Sequence, residues 1–283
     1  MNNKYFTWGA GALAFGAAAV LLDALFLEKY FFDLKTHHIG NLSSARKLKL
    51  VLLTDLHLKN RLYPYHKRLA SKLKQLQPDL ILIAGDTLDS SGKAAVADQF
   101  LGMLPHHVQK AAILGNHDYL AKDSLSALQK VYAQHNCRLL VNETAAFQVA
   151  GTRVVVTGLD DMLEGESRFS KAVEGVGKEE HHLLLIHSPL QQEKAIDTMK
   201  RLNQNRREAE KLNIRFVFAG HNHGGQVRLP GYVPVLPEKS GDYVEGWYNV
   251  EPPFLYLSKG FGTSRLPFRF GARSEVTLFH YHV

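Results

Sequence analysis

Asp55-Leu56-His57, Gly85-Asp86, Gly115-Asn116-His117-Asp118, His187 and Gly220-His221-Asn222-His223 are the stretches of this chain whose residue types could do chemistry. Carboxylate, carboxamide and imidazole groups offer oxygen and nitrogen ligands, a set that suits borderline ions such as manganese, iron or zinc. A structural zinc site would usually bring cysteines. No cysteine, serine-nucleophile elbow or glycine-rich phosphate loop stands among these stretches. They hold more ligands than one four- to six-coordinate ion can take, and only a carboxylate can share its oxygens between two cations. A dinuclear site is the natural reading, with Asp86 as the bridge.

Each group ends an apolar run. Residues 50–54 precede Asp55, 80–84 precede Gly85-Asp86, 111–114 precede Gly115-Asn116, 183–186 precede His187, and 216–219 precede Gly220-His221. Runs of four or five residues rich in Val, Ile and Leu, closed by Gly or a polar residue, are expected of strands buried on both faces. The carboxyl ends of such strands are where open α/β sheets place their chemistry. Between the runs, residues 65–75, 94–104 and 124–133 carry helical spacing, and Pro78 closes the first of them before the next strand. Residues 138–141, 145–149 and 153–157 read as strands, the last two joined by a tight hairpin through Ala150-Gly151. Residues 191–212 read as one long charged helix, and 226–229, 254–258 and 276–280 as further strands. The expected fold class is α/β, two facing mixed β-sheets flanked by helices, a β-sandwich behind an N-terminal membrane helix.

Taken together and in this order, the five motifs resemble those of the calcineurin-like metallophosphoesterases: Asp-x-His, Gly-Asp, Gly-Asn-His-Asp/Glu, a lone His, and Gly-His-x-His. The resemblance runs from about residue 48 to the carboxyl terminus. It implies one metal on Asp55, His57 and His223, a second on Asn116, His187 and His221, Asp86 between them, and a metal-bridging hydroxide as nucleophile. Two divalent cations, less two carboxylates and one hydroxide, leave a net positive centre to meet a phosphodiester anion. An Asp at position 116 would remove that surplus. The resemblance further implies His117 as the acid that protonates the leaving oxygen, with Asp118 orienting its ring. Asp89 is expected to hydrogen-bond beside the ligands, and Asp160 and Asp161 to hold a loop. Arg265 and Arg269 are candidates to meet a substrate phosphate.

Gly224-Gly225-Gln226, Gly158-Leu159-Asp160-Asp161 and Gly260-Phe261-Gly262 running to Arg265-Leu266-Pro267 are similar to a membrane-associated bacterial subgroup of phosphodiesterases within that family. The subgroup often has Thr at the position of Asn222 and Pro at that of Ser274. No Arg-Arg pair precedes the apolar segment, unlike in members with a twin-arginine signal.

The chain has 283 residues, 45% of them hydrophobic, enough for a sizeable core. It divides into an anchor at residues 1–34, a polar connector at 35–47 and one catalytic domain at 48–283. Cys137 is the single cysteine, which excludes an intrachain disulfide. The formal charge of +7 favours anionic lipid headgroups or phosphate-bearing substrates. No nucleic-acid module is evident, and no nucleic-acid partner is expected. Residues 5–22 carry no charge, and apolar character resumes after Asp23. A stretch of roughly 20 apolar residues can span a bilayer, so this reads as a single-pass anchor. The alternative is a signal cleaved near Ala17-Ala18-Ala19. Lys29, Lys35, Arg46 and Lys47 after the span outnumber Lys4 before it, a weak tilt toward a cytoplasmic domain that leaves the side open.

The expected activity is hydrolysis of a phosphodiester or pyrophosphate in a lipid- or nucleotide-linked substrate near a membrane. Two readings stand beside it. One is a pyrophosphatase of the UDP-diacylglucosamine type, an activity of some related enzymes. The other is a catalytically silent scaffold of the same fold, disfavoured because every ligand block is present.

Overall fold

The computed structural model describes residues 8, 14–16 and 18–283. Two six-stranded sheets pack face to face. In the first, β2 (Lys47–Leu53), β3 (Leu80–Ala84), β4 (Gln109–Ile113) and β5 (Cys137–Leu139) are parallel neighbours. β12 (Glu275–His282) lies antiparallel to β2, and β1 (Asp33–Gly40) adds a parallel edge beyond it. In the second sheet β7 (Thr152–Gly158), β8 (His182–Leu185), β9 (Ile214–Ala219) and β11 (Phe254–Leu257) are parallel. β6 (Glu143–Val149) and β10 (Gly246–Tyr248) close its edges antiparallel. Both sheets are mixed, as expected.

The alternating direction of strand side chains explains why the sequence shows continuous apolar runs. Along β2, Leu50 and Leu52 face the second sheet and share a core with its Leu183 and Phe218 and with Phe279 of neighbouring β12, while Val51 and Leu53 face helices. Those helices are α2 (Pro64–Leu76), α3 (Ala94–Gly102) and α5 (Lys122–Gln134), which contribute Leu69, Leu73, Phe100, Leu128 and Tyr132. On the outside of the second sheet, Leu184, Ile186, Val217 and Ala219 pack against α6 (Phe169–Ala172) and α7 (Gln191–Gln204). Complete burial of one such Leu or Val contributes about 1.5–3 kcal/mol, so each strand is pinned from two sides.

Several expectations need correction. The segment expected as a polar connector contains β1, which pairs from Asp33 with Glu275 to Gly40 with His282. Among its residues Ile39 alone is buried, so it shows no apolar alternation; its order comes from backbone pairing. The long helix expected to reach residue 212 ends at Gln204, because Asn203 turns back to hold both the N–H and the carbonyl of Leu212. Residues 226–229 make isolated bridges only, Val227 with Phe270 and Leu229 with Tyr232. The hairpin through Ala150 and Gly151 is present, with both residues at positive φ, 46° and 79°. That is the turn geometry suited to the twist of a two-residue hairpin.

Among the described residues no helix is long and apolar enough to cross a membrane. Much of the apolar stretch expected as an anchor lies outside the described residues. Nearer the domain, a π-helical turn at Asp23–Leu27 runs into α1 (Glu28–Tyr30) and packs on the loop before β12 through buried Ala24 and Glu28.

Candidate metal centre

The expected ligands follow the carboxyl ends of β2, β3, β4, β8 and β9, three strands of one sheet and two of the other. The facing sheets thereby bring all of them to one edge of the sandwich. Asp55, His57, Asp86, His221 and His223 all have left-handed backbones, with φ between 44° and 76°. Non-glycine residues rarely adopt this conformation, and here neighbouring strand ends hold it. Asp55 N–H donates to Gly85 O at 3.1 Å, His57 N–H to Asp86 O at 3.0 Å, and Gly220 N–H to His187 O at 3.0 Å. The preceding glycines are required by crowding. A Cβ on Gly115 would strike the Asp86 carboxylate, and one on Gly220 would strike Thr54 Oγ1 and the Asp55 carboxylate.

Two groups of donors meet at Asp86. In one, Asp55, His57 and His223 converge: His57 Nε2 lies 3.0 Å from His223 Nε2, and His223 Nε2 lies 3.5 Å from Asp55 Oδ1. In the other, His187 Nε2 lies 3.2 Å from Asn116 Oδ1, and its ring centroid lies 5.0 Å from that of His221. Asp86 Oδ2 sits between them, 3.5 Å from His57 Nε2 and 3.4 Å from His187 Nε2. Asp55, His57, Asp86, His187, His221 and His223 are all buried.

The rings are set by hydrogen bonds on their far sides. His187 Nδ1 donates to Ala84 O at 2.9 Å, which turns Nε2 toward Asp86. His221 Nε2 donates to Glu238 O at 2.7 Å, which leaves Nδ1 free for the centre. The His187 main-chain N–H is held by Gln191 Oε1 at 3.1 Å. The Asp55 carboxylate accepts from Thr54 Oγ1 at 2.6 Å and from His221 N–H at 3.1 Å.

The electrostatics fit cations. Burial pushes the Asp86 carboxyl up, but the His187 and His57 rings beside it outweigh burial and hold it well below the carboxylate range. Burial likewise pushes His187 down, yet Asp86, Asp55 and Asp161 hold its ring well above the ordinary imidazole range. The buried carboxylates draw positive charge into the centre, onto the rings in the absence of metal, and divalent ions with oxygen and nitrogen preference would supply that charge when the rings give up their protons to coordinate.

His117 opens α4 (Asn116–Leu120) beside this centre. Its main-chain N–H donates to Asp86 Oδ1 at 2.8 Å, its ring packs edge-on to His57, and its Nε2 lies 3.2 Å from Ser264 Oγ. Its buried Nδ1 has no hydrogen-bond partner. The orienting role expected for Asp118 is therefore corrected. Both Asp118 oxygens are spent on main-chain N–H groups, Leu88 at 2.7 Å and Gly115 at 3.0 Å. Burial and the Asp86 charge push Asp118 up to about 7.

Arg269, expected as a substrate contact, is also corrected. It is fully buried, and its five N–H groups go to the carbonyls of Gly262, His223, Ala272, Lys259 and Gly260 at 2.8–3.2 Å. The same guanidinium lies 3.1 Å from His223 Nδ1. A run of carbonyls has no residue pattern, so this role was invisible in the sequence. Arg265 is exposed. Asp89 accepts from Ser91 N–H at 3.1 Å and lies 3.7 Å from His57 Nδ1. Asp160 accepts from Tyr119 OH and Glu166 N–H, and Asp161 from Leu163 and Glu164 N–H, which holds the loop after β7. Sequence reasoning missed Ser264 and Gln191, although Ser264 lies within a glycine-flanked stretch it had singled out.

The calcineurin-like phosphoesterase family profile matches residues 48–225. The metallophosphoesterase YkuE of Bacillus subtilis is 26% identical over 99% of this chain and 97% of its own length. Phosphodiesterase YaeI of Escherichia coli is 25% identical over 89% of each chain. A transmembrane protein with metallophosphoesterase domain from Bos taurus is 28% identical over 83% of this chain and 53% of its own length.

Proposed function

The chain belongs to the calcineurin-like phosphoesterase family and is a metal-dependent phosphoric ester hydrolase, and on that premise we propose that it cleaves a phosphodiester or pyrophosphate at a two-cation centre bridged by Asp86. The observation that carries this is the position of Asp86 Oδ2, within 3.5 Å of one imidazole from each donor group. Asp55, His57 and His223 would hold one cation, and Asn116, His187 and His221 the other. When bound, two divalent cations lower the pKa of a water molecule and balance charge on the attacking and leaving oxygens of an in-line displacement. Asn116 contributes an uncharged oxygen, so the centre keeps the positive surplus that attracts a phosphate anion. His117 stands at the rim with Nε2 toward Ser264, placed to give a proton to the departing oxygen.

The proposed substrate is lipid- or nucleotide-linked and met at a membrane. This is supported by the uncharged stretch at residues 5–22 and by the net positive charge. A UDP-diacylglucosamine-type pyrophosphatase is the narrower form of the same reading.

The test is turnover by metal-replete protein on monoesters, diesters, nucleotide sugars and acylated UDP-sugars, with Asp86→Asn as the blank. Hydrolysis of a diester or pyrophosphate that Asp86→Asn abolishes supports the reading. Tight metal binding with no turnover of any phosphate ester would instead favour a silent scaffold.

A further inference from the structure

We propose that the helical segment before β1 is a working part of the metal centre, with Glu28 acting through Arg269 as a positioning residue for His223. Glu28 is 5% exposed, and its carboxylate accepts from Gly271 N–H at 2.7 Å and Ala272 N–H at 3.3 Å. Its own carbonyl accepts from Ser274 N–H at 3.1 Å. One turn earlier, Ala24 O accepts from Arg269 N–H at 3.1 Å, and Lys29 Nζ donates to Pro267 O at 2.7 Å. The segment thus grips the loop at 267–274 at five main-chain positions, the Arg269 N–H among them.

From the other side, Arg269 Nη1 bonds Ala272 O at 2.8 Å and His223 O at 3.2 Å. A continuous path therefore runs from the Glu28 carboxylate through Ala272 and the guanidinium to His223. His223 needs this support because its backbone is left-handed, with φ 51°, directly before the left-handed Gly224. Such a conformation persists only where its surroundings hold it. The path reaches His223 and the carbonyls of residues 259–262 that flank Asp55, and it makes no bond to Asn116, His187 or His221. Loss of Glu28 should loosen one donor group and spare the other. Residues outside a ligand set that orient its members typically change metal affinity by about 10- to 100-fold.

The proposal rests on the two-cation reading, and its test separates the two. Metal-stripped full-length protein is titrated with Mn²⁺ by calorimetry, and His223→Ala identifies which binding class depends on His223. Glu28→Ala is expected to weaken that class by about 10- to 100-fold and leave the other unchanged. Glu28→Gln, which keeps an acceptor oxygen, is expected to restore most of the affinity. Glu28→Asp keeps the charge but is too short to reach both N–H groups; it is expected to show the same selective loss, measurable but smaller than in Glu28→Ala, and it serves if Glu28→Ala does not fold. Wild-type affinity in folded Glu28→Ala, or in Glu28→Asp where the alanine variant does not fold, or equal weakening of both classes, overturns the positioning role. A single Mn²⁺ in the unsubstituted protein would instead overturn the two-cation reading, and Glu28 is then judged by whether the His223-dependent class weakens.

Discussion

His117 and Asp118 are neighbours in sequence, yet their side chains serve different ends. His117 reaches the rim of the centre, while Asp118 folds back to close main-chain N–H groups at Leu88 and Gly115. Replacing His117 by Ala should leave metal content intact and lower turnover by about 10²–10⁴-fold; full activity with verified metal content would remove it from the acid role. Asp118→Ala should act on stability instead. Leaving buried N–H groups without an acceptor costs about 1–3 kcal/mol each, so a lower urea midpoint is expected with turnover per folded molecule nearly unchanged. A selective collapse of turnover at unchanged stability would return Asp118 to a catalytic role. At this scale the sequence showed which residues converge, because their types and strand-end positions are local. It could not show where Asp118 or Arg269 point, because their partners are main-chain atoms, Leu88 N–H for Asp118 and the carbonyl of His223 for Arg269 among them lying far along the chain.

Helix α2 and strand β8 each bury a histidine away from the centre, and both make the fold sensitive to acid. Burial pushes His66 down to about 3 and His182 down to about 4. His66 Nδ1 accepts from Tyr63 N–H at 3.1 Å, and His182 Nε2 lies 2.7 Å from Thr157 Oγ1. A depressed imidazole pKa means that the unfolded chain binds the extra proton first. Stability is therefore fully present above about pH 6.5 and is lost as pH falls toward 4 and then 3. In metal-stripped protein the urea midpoint should fall between pH 7 and pH 5. His66→Gln, which keeps an acceptor for Tyr63, should make that fall shallower; an unchanged slope would assign the acid sensitivity elsewhere. Strands with two buried faces were legible as runs, and helices as spacing. β1 was not, because an edge strand needs backbone pairing more than apolar side chains.

The whole molecule joins two sheets at a charged edge, so its stability should follow its cations. Chelation should lower the melting temperature, since a ligand at 100 times its Kd stabilises by about 2.7 kcal/mol. A melting temperature unmoved by chelator would mean that the centre binds no metal under those conditions. Removing residues 1–22 should leave the metal content unchanged, because Ala24 and Glu28 remain to hold the loop before β12, and on the proposed membrane reading it should also release the protein from membrane fractions. Metal loss in that truncation would place support for the centre further toward the amino terminus.

By itself the sequence determined the strand runs, the residues at their ends and hence the class of chemistry, because each is written in residue type over a few positions. Only the tertiary structure decided that strands from two different sheets share one site, that Asp86 lies between two donor groups, and that Arg269 and Glu28 stand behind His223. Those facts depend on contacts between segments far apart in the chain, many made by main-chain carbonyls and N–H groups that every residue carries alike.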